Sequence, residues 1–153
     1  MTFARDTDVT PSASKAEIER DLGRFGATGF LTGHDDVAGR AFVGFQARDR
    51  QVRMFVPLPT YKEMLRTPTG KARTEKQVAA AREKETRRRW RALALAIKAK
   101  VVAITDGVES FEDAFMPYVV MPDGSTVGDQ VRPAIASAYS TGTTPRLLPG
   151  PKS

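Results

Sequence analysis

The sequence predicts an α+β domain: a first helix, a three-stranded antiparallel meander, a long central helix packed on the sheet, and a smaller C-terminal helical part. Three observations carry that reading. Ile18, Leu22 and Phe25 recur at i, i+4 and i+7 behind a hydroxyl–carboxylate capping pattern. Three runs with period-two alternation follow, separated by short polar turns. Then Thr74 opens a stretch that nothing breaks until Asp106-Gly107.

Taken in order, Ser14 and Glu17 form the capping pattern, so the first helix is expected from about Lys15 to Phe25, ended by Gly26. "ATGFLTG", "RAFVGFQA" and "QVRMFVPLP" are the three strands, with "HDDVAG" and "RDR" between them. In the second, Phe42 and Gly44 point one way and Ala41, Val43 and Phe45 the other; in the third, Val52, Met54 and Val56 alternate with Arg53 and Phe55. Pro57 and Pro59 close the sheet. "TYKEMLR" predicts a short helix and "TPTGKAR" a polar, mobile loop.

The long helix begins with a second capping pattern, Thr74 and Gln77. Up to about 32 residues at 1.5 Å each span about 48 Å, more than the diameter of a compact domain of this size, so its N-terminal half is expected to project. Beyond it, "SFEDAFM" predicts a short helix and "YVVMPDGSTVGD" a strand with an Asp-Gly turn. Residues from about Asp129 to Thr141 predict a final helix with Pro133 in its first turn, stopped by Gly142. Residues 1–142 thus read as one domain and residues 143–153 as a proline-rich tail.

Composition narrows the function classes. A chain of 153 residues with 41% hydrophobic residues is long enough to bury a core. It has no cysteine, which excludes disulfides, thiolate metal sites and a cysteine nucleophile and fits a reducing compartment. No apolar run is long enough to span a membrane, and the N-terminus lacks the hydrophobic segment of a secretory signal. The net charge of +6 is unevenly spread: residues 1–60 are neutral, residues 61–100 carry thirteen basic and four acidic side chains, and residues 101–153 are slightly acidic. A concentrated basic segment on a neutral body attracts polyanions.

On a helical wheel, Trp90, Leu93, Ala94, Ile97, Val101 and Ile104 share one stripe, which predicts a core face. Lys84, Arg88, Arg91 and Lys98 run along one flank, with Arg82 and Arg89 on the other. Arginine forks suit phosphate contact, and phosphate neutralisation dominates nucleic-acid affinity. Charged helix flanks are also commonly just solvated, and Glu83 and Glu85 are spaced to pair with Arg87 and Arg89 at i+4. A second, weaker feature is the sheet, where Phe42, Phe45 and Phe55 interleave with Arg40, Arg48, Arg50 and Arg53. Such surfaces can stack unpaired bases, although phenylalanines at period two more often belong to a core.

Catalytic chemistry has little to stand on. His34, Asp35 and Asp36 are adjacent turn residues that converge poorly on one ion, and no second histidine exists. Glu109, Glu112 and Asp113 suit the dipole of a short helix. No phosphate loop, nucleophile elbow or zinc-protease motif is present. The expectation is a non-enzymatic protein with no metal and no cofactor.

"SKAEIERDLGRFGA", "RRRWRALALAIKAKVVAITDGVESFEDAFMPYVVMPDGSTVGD" and "PAIASAYSTGTTPRLLPG" resemble a widespread family of small proteins encoded by bacteriophages and prophages. The resemblance covers nearly the whole chain and departs from the family pattern in "GHDDVAG". It implies a cytoplasmic protein of a phage-infected or lysogenic bacterium and assigns no catalytic or binding residue. The neighbourhood of such genes favours a role in DNA replication or recombination. The resulting expectation is single-strand or non-specific nucleic-acid binding, with DNA the first candidate, through Lys71, Arg73, Lys76, Arg82, Lys84, Arg87, Arg88, Arg89 and Arg91. The alternative partner is an acidic host protein that the long basic helix would inhibit or adapt, and self-association is a third arrangement.

Overall fold

The structure, a computed structural model, describes residues 8–148 and 150. In chain order it contains α1 (Pro11–Phe25), β1 (Thr28–Asp35), β2 (Arg40–Ala47), β3 (Arg50–Pro57), a 3-10 turn (Lys62–Met64), α2 (Glu75–Thr105), α3 (Phe111–Phe115), a second 3-10 turn (Met116–Tyr118) and α4 (Val127–Thr141). This is the α+β architecture expected from the sequence. The sheet is a meander in the order β1-β2-β3, with both pairings antiparallel.

Alternation sorts the sheet into two faces. Ala41, Val43, Phe45, Ala47, Val52, Met54 and Val56 are buried on the inner face. They form one core with Ile18 and Leu22 of α1, Trp90, Ala94 and Ile97 of α2, and Phe111 and Phe115 of α3. Trp90 is 1% exposed and Ile97 fully buried, and Leu93, Val101 and Ile104 pack partly buried beside them, so the predicted stripe is the core stripe. The Phe45 ring meets Phe115 edge-on at 5.5 Å, and Phe25 stacks on Phe111 at 5.9 Å. The β2–β3 turn is the two-residue kind that matches strand twist, with Arg48 and Asp49 both left-handed at φ 51° and 61°.

Four expectations need correction. First, α1 begins four residues early. Thr10 is its N-cap, its Oγ1 accepting from Ala13 N at 3.1 Å, and Pro11 supplies a fixed φ at the first helical position. Ser14 is therefore interior, and Glu17 is free to turn toward α2. Second, the segment "TPTGKAR" is a closed hairpin. An Arg66–Ala72 bridge, Thr67 N to Lys71 O at 2.8 Å and Gly70 at φ 89° shape it.

Third, the N-terminal half of α2 is accompanied along its length. Arg89 Nη1 donates to Pro57 O at 2.9 Å and Arg82 Nε to Pro59 O at 3.3 Å, so the chain after β3 runs back along the helix. Val78 is 1% exposed there although it lies outside the main core cluster. Fourth, "YVVMPDGSTVGD" forms bridges only, Val119 with Val52 and Val120 with Thr126, around a turn at Gly124. Pro122 has no amide to extend a ladder, and the Thr126–Asp129 capping box starts α4 at Val127, two residues before the expected position. Residues 149 and 151–153 of the predicted tail lie outside the described residues.

Candidate nucleic-acid interface

Eight of the nine basic residues singled out in the sequence divide into two chemical groups, and the ninth, Lys84, lines the cleft described below. In the first, each guanidinium is matched to a carboxylate. Arg87 Nη1 donates to Glu83 Oε1 at 2.8 Å. Arg88 makes a two-pronged contact with Glu85, Nε to Oε2 at 2.9 Å and Nη2 to Oε1 at 2.6 Å. Arg89 donates from Nε to Glu85 Oε1 at 2.9 Å and from Nη2 to Glu63 Oε2 at 3.2 Å. Arg91 pairs with Glu17 of α1. These four side chains are half-buried or nearly so.

The pairing shifts the titration of both partners. Hydrogen bonds from Arg88 and then Arg89 hold the Glu85 carboxyl at about 2, against the opposing effect of burial. The same contact raises the Arg88 guanidinium above its ordinary value. An arginine whose fork is filled by a carboxylate offers little to a phosphate, because the phosphate must first displace that partner. Arg87, Arg88, Arg89 and Arg91 therefore serve to fasten α2 to itself, to α1 and to the segment after β3.

The second group is bound to carbonyls or to solvent. Arg73 Nη1 donates to Met64 O at 3.1 Å and to Arg66 O at 2.9 Å. Arg82 donates to Pro59 O, and Arg66 Nη1 to Gly70 O at 3.0 Å. Carbonyl acceptors fix these side chains without cancelling their charge. Lys71 and Lys76 are exposed and enter no ion pair among the described residues. Arg66 was missed in the sequence because it reads as the end of a short helix; the bridge to Ala72 is what places it beside Arg73.

Between the 63–73 segment and the N-terminal half of α2 lies a cleft of about 730 Å³. Arg66, Arg73, Lys84 and Arg88 line it, opposed among the described residues by two carboxylates, Glu63 and Glu85, and Met64 and Ala80 lie among its apolar lining. Lys71 lies on the hairpin and Lys76 in the first turn of α2, both outside the cleft lining. The structure thus sets the hairpin beside the N-terminal half of α2 across one cleft, and it pairs Arg87, Arg88, Arg89 and Arg91 with carboxylates.

No metal-capable group of three or more His, Asp or Glu side chains occurs among the described residues. No helix among them is long and apolar enough to cross a membrane. Fold and site together define an α+β chain with a basic cleft beside a long helix. Compared with known proteins, it matches no family model, no curated protein and no solved structure.

Proposed function

We propose that the protein is a non-enzymatic nucleic-acid-binding protein that grips the phosphate backbone of DNA, single-stranded or without sequence readout, in phage DNA metabolism. The observation that carries the reading is the difference between the two groups of cations. Arg66, Arg73 and Arg82 are held in place by main-chain carbonyls and keep their charge, with Lys71 and Lys76 exposed nearby. Fixed guanidinium groups lose little freedom on meeting a phosphate. The phage setting enters from the resemblance in the sequence.

The test is binding of a labelled oligonucleotide over a range of salt. Four phosphate contacts on a single strand give a logarithmic salt slope of about −2.8, so affinity is expected to fall about 50-fold between about 50 and 200 mM salt. Absence of binding at the lower salt, or binding indifferent to salt, would remove the proposal.

A second reading, a module that docks on a host protein, draws on α4. Gly128 is its only buried residue, and Ile135 and Tyr139 are 45% and 89% exposed one turn apart. It is distinguished by a partner that co-purifies from host lysate after nuclease treatment and is lost on Tyr139→Ala.

A further inference from the structure

The outer face of the sheet has no role in the basic cleft and carries an unusual set of side chains. Cross-strand register sets Phe42 against Phe55, Gly44 against Arg53, and Gln46 against Gln51; on the other side Leu31 faces Gly44 and Gly33 faces Phe42. On a face packed against helices such residues would be buried. Here Leu31 is 60% exposed, and Phe42, Gly44, Arg53 and Phe55 are partly exposed.

The arrangement is built, and glycine shapes it. The Phe42 ring leans across Gly33 so closely that a Cβ there would meet the ring at 2.6 Å. Phe42 also meets Phe55 edge-on at 6.5 Å, and the Arg40 guanidinium lies 3.6 Å above the Phe55 ring. Beside Phe42 opens a trough of about 180 Å³ lined by Leu31, Phe42 and Gly44, with Gln46, Gln51 and Arg53 among its polar lining. Arg53 is steadied by a bond from Nη1 to Gly124 O at 3.2 Å. Among the described residues no carboxylate lines the trough.

We infer that this trough takes an unpaired nucleobase of a single strand, its face against Phe42 and its edge toward Gln46 and Gln51, with a flanking phosphate near Arg53. The inference rests on the nucleic-acid reading above and adds to it the preference for single strands. A small trough with an aromatic ring in its lining suits a planar heterocycle. Amide groups suit the hydrogen-bonding edge of a base, and a cation without a carboxylate neighbour in the slot suits the adjoining phosphate. Bases in a duplex are stacked and paired, so only an unpaired strand can offer a face to the ring.

The test is fluorescence anisotropy with three probes of equal length: labelled oligothymidylate, the same backbone lacking bases, and a duplex. Three variants accompany the wild type. Phe42→Leu keeps apolar bulk and removes the ring face, and Phe42→Tyr keeps the ring. Gly44→Ala adds a methyl group to the lining at 3.7–3.9 Å from its neighbours, an ordinary contact that the fold tolerates. Oligothymidylate is expected to bind about tenfold tighter than the baseless strand and the duplex. Phe42→Leu and Gly44→Ala are each expected to lose about that factor with an unchanged salt slope, and Phe42→Tyr to retain it.

If all three probes bind equally, with a salt slope, and Phe42→Leu binds like the wild type, the phosphate reading stands and the base site is overturned. If no probe binds, both fall. If Phe42→Leu instead abolishes self-association of the wild type in sedimentation, the face is an interface between copies and the base site is likewise overturned.

Discussion

Glu17 on α1 holds Lys98 on α2, its Oε1 accepting from Nζ at 2.7 Å, while its other oxygen takes Arg91. One carboxylate thus ties together the two helices that lie under the sheet, and its side chain is only 14% exposed. The Lys98 hydrogen bond, with Arg91 beside it, holds the Glu17 carboxyl below the ordinary carboxylate range despite burial. Glu17→Ala leaves a half-buried guanidinium without its partner. It is expected to cost about 2 kcal/mol, or about 4–8 °C in Tm by calorimetry.

Acid should act through Glu85 in a defined window. Its carboxyl titrates at about 2 in the fold, against an ordinary value of 4.5. The folded state therefore binds fewer protons between those values, and stability rises with pH across that interval. The contribution is complete above about pH 4.5 and lost as pH falls through about 2. Glu85→Gln should flatten this part of the curve of urea midpoint against pH.

Charge reversals should separate the two groups of cations. Lys71→Glu with Lys76→Glu touches no ion pair among the described residues, so Tm should move by less than about 2 °C while oligonucleotide affinity and salt slope both fall. Arg91→Glu sets two carboxylates face to face at the α1–α2 contact and should lower Tm by several degrees. A stable Arg91→Glu protein would contradict the fastening role.

Ser14 gives a prediction of opposite sign. It is fully buried inside α1, and its Oγ has no hydrogen-bond partner among the described residues. A buried hydroxyl left unsatisfied costs about 1–3 kcal/mol, and alanine is the better helix former. Ser14→Ala should be neutral or stabilising by up to about 1 kcal/mol in chemical denaturation. Thr74→Ala, by contrast, removes the hydroxyl that accepts from Gln77 N at 3.3 Å and should cost about 1 kcal/mol.

The sequence by itself determined the elements and their faces. Period-two alternation in "RAFVGFQA" and "QVRMFVP" separated buried from outward residues, and the spacing of Trp90, Ala94 and Ile97 marked the buried side of α2. These are local patterns, because a backbone of fixed period turns spacing directly into direction. The i+4 pairs Glu83–Arg87 and Glu85–Arg89 were legible for the same reason. Tertiary structure alone decided which cations stay available. Glu17 lies 74 residues from Arg91, and the carbonyls of Pro57 and Pro59 reach Arg89 and Arg82 only because the chain after β3 doubles back along α2. A charge is cancelled or kept according to what stands within about 3 Å of it, and composition holds no record of that distance.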